Sequence, residues 1–539
     1  MRLEIELVDG GGAGPAPDLP PVRIPPRGRR RLDGFDASVL CLFAAVSLFV
    51  LGADLWQVIV HGRVWTGTDG VYIVDQMQYL AWIKDASHHV LASNLFVLRD
   101  TPADYFNPAV VVSGGLTALG MAPWLSLLLW KPVAVIAFFF AVHAFAWRLL
   151  NGLWPRRAAL VLALFFGSFT NVYGHFSVLG DLFPGFLTWG YVFGVMALAA
   201  MVWALVAHND SRHSNRRLWL AGLLGGLASL LHPWNGELLI AIVVTAEAVM
   251  FACRRYGRAD LKLTAATVIG TGVPLLYYAI LGKADISWKL AQVASKHAFS
   301  FWSITIAIVP LLVPAIVAYT RRPTTFLAAA ARTWPVAAYA VFVLSGTSLG
   351  ATPLHSFQGI TIPLAVLAVE GLQIIGWERI QRPVLAGAVL VALFTIPTTF
   401  EELHIAHGLA APTPENGNFI RSDERAAITY LAHNKEPGSV ITRSYLGAVV
   451  PGRTGRHTYV GDCLWSEPGC TNLTFNAQWL FVGAPSGAPT PAAARSFVLS
   501  SGARFLLADC ETTTDIPKLL GPVIRSTHSF GCAAVYEVE

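Results

Sequence analysis

The feature that most constrains this chain is a succession of apolar runs, many close to 20 residues long, filling positions 36–400. A helix of about 20 apolar residues matches the hydrocarbon thickness of a bilayer. The runs lie at 36–57, 108–121, 122–149, 158–172, 183–207, 218–231, 236–252, 262–280, 300–319, 335–350, 358–376 and 384–400. Only 13% of the residues are charged, against about 25% in a soluble domain. The 17 Trp suit the aromatic belts of a membrane interface. These features predict a polytopic α-helical membrane protein with 11–13 crossings. Some runs, such as 218–231, are too short to cross about 30 Å alone and need a neighbouring helix or a water-filled cavity at their ends.

Cationic clusters set the expected topology. Arg27-Gly-Arg-Arg-Arg31 precedes the first run, and Arg212–Arg217, Arg254–Arg258, Arg321-Arg322 and Glu378–Arg382 connect later ones. By the positive-inside rule these are cytoplasmic, as is the N-terminus. The net charge of +5 follows from the same clusters, so no nucleic-acid partner is expected. Residues 1–35 are rich in Gly, Pro and Arg, and no apolar core precedes position 37. They read as a disordered cytoplasmic tail and not as a signal peptide. The first loop, 58–107, then lies outside, with the loops carrying Asp181, His232, Lys283–His297 and His355.

The last quarter differs. Four of the six Cys, Cys463, Cys470, Cys510 and Cys532, fall there, whereas Cys41 and Cys253 sit in or beside apolar runs. Four Cys in a polar segment point to two disulfides and an oxidising compartment. Zinc is the rival reading, but Cys463 and Cys470 are spaced more widely than the usual close pair. Residues 401–539 alternate helix and strand signals: a helix from Ser422, strands at 439–443, 457–460, 503–508 and 533–538, and a helical piece at 494–499. This predicts a small extracytoplasmic α/β domain behind a transmembrane domain of residues 36–400. Twelve runs would return the C-terminus to the cytoplasm, so an odd number is expected. The short run opening at Asn107-Pro108 is where the count gives way.

Candidate chemistry gathers in the outer loops. Asp75 and Tyr79 are one helical turn apart, with Gln76, Gln78 and Trp82 nearby and Asp85, His88, His89 and Asp104 further on. Val71, Val74, Leu80 and Ile83 supply the apolar face of an interfacial helix; the plainer reading makes Asp75 a solvated loop acid. His175 and Asp181 can orient a hydroxyl, hold a divalent cation or simply belong to a polar loop. His232 and Asn235 at a helix break either bind a substrate or satisfy freed backbone groups. Trp234 suits a sugar ring or an interface anchor. Lys283, Lys289, Lys296 and His297 suit a lipid phosphate or headgroup contact. His355 and Gln358, entering a late helix, extend the same group.

Together these segments resemble the GT-C superfamily of membrane glycosyltransferases. The layout is similar to its family 39, the protein O-mannosyltransferase and aminoarabinose-transferase branch. The resemblance rests on Asp75-x3-Tyr79, Asp104-Tyr-Phe-Asn-Pro108, Trp154-Pro-Arg-Arg157, a helix ending at His232-Pro233, His355-Ser-Phe-Gln-Gly-Ile-Thr-Ile-Pro363 and Pro451–Gly461. It implies sugar transfer from a polyprenyl-phosphate donor to an extracytoplasmic hydroxyl of a glycan, lipid or protein. Asp75 would be the base, and Tyr79, Trp82, Asp104, His175, Asp181, His232, Trp234, His355 and Gln358 would contact substrate. Lys289, Lys296 and His297 would meet the departing phosphate. It implies no definite cofactor, and a divalent cation is the one option left open. A lipid-linked-sugar transporter and a non-catalytic membrane scaffold are the rival functions.

Overall fold

A computed structural model describes residues 32–167, 182–212, 218–255, 257–294, 300–345, 353–411, 417–485 and 487–539. Among these, nine helices are long and apolar enough to cross a membrane, and two shorter apolar helices, Pro108–Ala118 and Leu220–Leu231, accompany them. This is a multi-pass helical membrane protein with small sheets in its C-terminal region.

The first helix, α1 (Gly34–His61), starts where the Asp33 side chain accepts the Asp36 N–H at 2.9 Å and ends at left-handed Gly62. A loop leads to α2 (Ile73–His89). Then α3 (Pro108–Ala118) opens with Asn107 as cap, its Oδ1 accepting from Ala109 N, and with Pro108 in the first turn. An Asn cap followed by Pro is a strong helix start, because Pro gives up only an N–H that would be unpaired anyway.

Three helices depart from the expected spans for visible reasons. The run 183–207 divides, because the short turn Pro184–Leu187 is separated from the helix Val192–Ser211 by Gly190 at φ +112°. The run 335–350 is, as far as Ser345, the end of a helix that begins at Phe326. Its hidden half carries Arg332, whose Nη2 donates to Glu370 Oε1 at 2.5 Å and to Ala318 O at 3.0 Å. A guanidinium paired with a carboxylate is tolerated inside a helix bundle, although its charge breaks the apolar pattern. The last long helix, Pro383–Leu409, also continues past position 400.

The C-terminal region carries a four-stranded sheet in the order β3-β4-β6-β5. It comprises β3 (Val440–Ile441), β4 (Phe505–Ala508), β5 (Ile524–Phe530) and β6 (Ala533–Val538), with β3 parallel to β4 and the other pairs antiparallel. Residues 457–460, expected as a strand, make only one bridge, Thr458 to Val440. A separate pair, β1 (Val64–Trp65) with β2 (Phe419–Ile420), stitches the first loop to this region. Disulfides join Cys463 to Cys470 and Cys510 to Cys532, while Cys41 and Cys253 are free.

The second helix does not float at an interface. It is packed between α3 and the helix Ser444–Thr454, and all residues from Gln76 to Ile83 are buried. Gly452 permits the approach, since a Cβ there would lie 2.9 Å from Leu80 Cβ. The apolar face of Leu80 and Ile83 is therefore covered by protein.

Candidate active site

Asp75 occupies the first turn of α2 and is half-buried. A carboxylate there is favoured by the helix dipole. The loop that delivers it is fastened at several points. The Gln76 side chain accepts from Asp69 N at 2.7 Å and donates back to Asp69 O at 2.8 Å. Lys131 pairs with the Asp69 carboxylate and donates to Thr188 O at 2.9 Å. Gly70 N donates to Asp54 Oδ2 at 3.3 Å. Arg453, from the C-terminal region, donates to Trp65 O and Thr66 O at 3.1 and 2.6 Å. Buried polar groups of this kind hold only one arrangement well, so the start of α2 is fixed.

Tyr79 and Trp82 lie one and two turns beyond Asp75 on the same face, as spacings of four and seven require. Trp82 is buried in an aromatic box, with ring centroids 4.2 Å from Tyr105, 5.3 Å from Trp465 and 6.2 Å from Trp288. Asp462, three residues before Trp465, lies in the same turn and is almost fully buried. Burial pushes its carboxyl up to about 8. The Leu464 N–H opposes that shift and the charge of Asp75 adds to it. Two carboxylates therefore share one neighbourhood, a setting in which one acid tends to stay protonated.

A second group lies beside the N-terminus of α2. Tyr72 sits 5.1 Å from the Tyr191 ring. Tyr191 Oη is 2.8 Å from His232 Nε2, and His232 Nδ1 is 2.7 Å from Asn235 Oδ1. The His355 ring lies 4.9 Å from His232 and 6.5 Å from Trp234, and its Nδ1 is 3.2 Å from Gln358 Nε2. The expected residues His232, Trp234, His355 and Gln358 thus come together. The turn at Gly190 makes this possible: any side chain there would strike Gln76, and the next residue is Tyr191.

Asp104 stands apart, near Asp285. Burial and the Asp285 charge push its carboxyl up to about 6, and its backbone oxygen accepts from Tyr277 Oη at 2.6 Å. Lys283 and Lys289 are exposed. Asp85 closes the far end of α2, accepting from Ser93 N at 2.7 Å and facing His89 Nδ1 at 3.0 Å. His175, Asp181, Lys296 and His297 lie outside the described residues.

Sequence reasoning missed Asp462, Tyr191 and Lys131. The quoted stretch Pro451–Gly461 ends one residue before Asp462. Lys131 carried the clearest signal, as a lone cation in an apolar run. As for a cation, the one trio of possible ligand groups among the described residues is Asp423, Cys510 and Cys532. Its two sulfurs are joined as a disulfide and offer no thiolate, so this trio does not fit a metal.

No family model matches the chain, and no curated protein matches it in sequence. Solved structures do match in shape. ArnT from Cupriavidus metallidurans, bound to undecaprenyl phosphate, is 14% identical with a TM-score of 0.52, covering 93% of this chain and 97% of that one. The archaeal oligosaccharyltransferase AglB from Archaeoglobus fulgidus, in complex with an inhibitory peptide and a dolichol-phosphate, is 14% identical at 0.51, covering 90% and 72%. The arabinofuranosyltransferase AftD from Mycobacteria is 13% identical at 0.55, covering 94% of this chain but 40% of that larger one. The chain has the GT-C fold that its sequence motifs imply.

Proposed function

We propose that this chain is an inverting membrane glycosyltransferase. It would move a sugar from a polyprenyl-phosphate donor to an extracytoplasmic hydroxyl on a glycan, lipid or protein. The observation that carries this reading is Asp75, held in the first turn of α2 by a fixed loop, with Tyr79 on its face and the Tyr191–His232–His355 group beside it. The GT-C fold adds support, and ArnT and AglB, two proteins of that fold, were solved with polyprenyl phosphates bound.

In this reading the Asp75 carboxylate accepts the proton of the acceptor hydroxyl as that oxygen attacks the anomeric carbon. The bond from that carbon to the phosphate oxygen breaks, and its electron pair leaves with the polyprenyl phosphate. One displacement inverts the anomeric centre. Cations at the membrane boundary, Lys289 with Lys296 and His297, stabilise the leaving charge. Asp104, His175, Asp181, Trp234 and Gln358 are assigned to substrate contacts. We place the N-terminus in the cytoplasm and the C-terminal region, with its two disulfides, outside.

Reconstitution of the purified protein with a panel of polyprenyl-phosphate sugars tests the reading. Transfer by the wild type and its loss in Asp75→Asn support it. Sugar-lipid scrambling across liposomes without transfer from any donor would make the protein a transporter instead.

A further inference from the structure

Lys131 is a buried cation in the apolar run 122–149, the second residue of the helix Trp130–Leu149. Its ammonium has partners on two different segments. It pairs with the Asp69 carboxylate in the first loop, and it donates to Thr188 O at 2.9 Å in the turn that ends at Gly190. The same two segments touch directly. Val71 N donates to Trp189 O at 3.2 Å, and the Tyr72 ring lies 5.6 Å from Phe186. A Cβ on Gly190 would lie 2.3 Å from Gln76 Nε2 and 2.7 Å from Asp69 O, so the segments meet with no room for a side chain there. From Asp69 the bonds pass to the Gln76 amide, at 2.7 and 2.8 Å, and Gln76 follows Asp75 in the chain. On the other side, Thr188 is three residues from Tyr191 and its bond to His232.

We infer that Lys131 is a positioning residue for sugar transfer: one ammonium clamps the loop 66–71, which delivers Asp75, to the turn 184–190, which delivers Tyr191. This deepens the glycosyltransferase reading and rests on it. Both partners of Lys131 are scaffold atoms, so it acts through the segments it joins. It sets the spacing between the Asp75 carboxylate and the Tyr191–His232–His355 group. Other anchors hold one segment each. Arg453 and Asp54 fasten the loop, and Trp189 Nε1 fastens the turn by donating to Val46 O at 2.7 Å. Lys131 bonds to both. A buried ion pair is a costly way to gain stability, since two charges must leave water. What it adds is a single geometry, because the ammonium must face Asp69 Oδ2 and Thr188 O together. Reacting groups need such control: a misplacement of about 1 Å can cost about a hundredfold in rate.

Two variants of the full-length protein separate positioning from support. Lys131→Met leaves the Asp69 carboxylate buried without its cation, which destabilises the fold. Lys131→Met/Asp69→Leu removes both charges, and its melting temperature should return close to that of wild type. Its kcat for transfer from a polyprenyl-phosphate sugar in proteoliposomes should still lie about tenfold or more below wild type, with the donor KM within about threefold. Recovery of kcat together with the melting temperature overturns the inference and leaves Asp75 as base. So does a loss confined to KM, or a double variant that melts as low as Lys131→Met. Transfer that survives in Asp75→Asn overturns the base assignment itself. Hydrogen exchange followed by mass spectrometry needs no donor. In the double variant, peptides covering 66–76 and 184–191 should both exchange about tenfold faster than in wild type, while the sheet strands 524–538 stay unchanged. Wild-type exchange in either of the first two peptides refutes the clamp.

Discussion

Tyr191 and His232 meet at 2.8 Å, hydroxyl to Nε2, where the apolar run 183–207 breaks and where the helix Leu220–Leu231 stops before Pro233. Asn235 Oδ1 faces the other ring nitrogen at 2.7 Å. With the amide oxygen there, Nδ1 carries a proton, and in the neutral ring Nε2 accepts from Tyr191. Tyr191→Phe removes the hydroxyl that faces Nε2, and with it a buried hydrogen bond. The cost is about 1–3 kcal/mol. Thermal melting of the purified protein should show that loss, and kcat/KM for transfer should drop about tenfold if the trio orients substrate. A stability loss with unchanged kcat/KM would restrict the trio to the scaffold.

Asp462 should also leave its mark on stability. Its carboxyl ionises near pH 8 when folded and near 4 when unfolded. Between those values the native state holds more protons than the unfolded state. Stability therefore falls as pH rises through about 4 to 8 and levels off above. Asp462→Asn should flatten much of that slope in melting temperatures taken across the window. Parallel curves for the two proteins would sink the claim. Asp104, raised to about 6, acts in the same direction over pH 4 to 6.

Some of this was legible in the chain and some was not, for physical reasons. Long apolar runs report helices directly, so α1 and most later spans followed from hydropathy. The disulfides followed from four Cys in a polar segment, although their pairing did not. Phe326–Thr333 hid because Arg332 needs Glu370, 38 residues away, to be tolerable. Residues 457–460 looked like a strand because Thr, Tyr and Val favour one, yet they make only an isolated bridge, Val440 N to His457 O and Tyr459 N to Val440 O, while Thr458 N turns to Leu95 O. Asp75 could be singled out from its surroundings. Asp462 could not, since only tertiary packing of the last quarter on α2 makes an ordinary acid unusual.

The two disulfides close short loops, of separation 7 for Cys463–Cys470 and 22 for Cys510–Cys532. Loop-closure entropy gives about 2 and about 3 kcal/mol respectively. Reduction should lower the melting temperature, with the Cys510→Ser/Cys532→Ser pair costing more than the Cys463→Ser/Cys470→Ser pair. The Cys463→Ser/Cys470→Ser pair should affect transfer more, because Cys463 lies in the turn whose Trp465 packs on Trp82 of α2. Alkylation under denaturing conditions should label two thiols before reduction and six after. Six labelled at the start, from protein exported by its host, would contradict an external C-terminal region.

The helix Leu220–Leu231 has 12 residues, about 18 Å of length, and cannot cross the bilayer alone. It is held instead by close contact with the helix Arg258–Ala284. A Cβ on Gly270 would lie 2.7 Å from Gly222 Cα, and one on Gly222 only 2.4 Å from Ala266 O. Small residues at a crossing let two backbones touch, and packing replaces length as the source of stability. Gly270→Val must push the helices apart, at about 1–3 kcal/mol. Because His232 terminates the short helix, the shift reaches Tyr191, so transfer should fall along with the melting temperature. Gly272→Ala is the control: its new Cβ meets Ile240 at an ordinary 3.8 Å and should leave both measurements unchanged. Equal behaviour of Gly270→Val and Gly272→Ala would mean that the crossing is not what holds His232 in place.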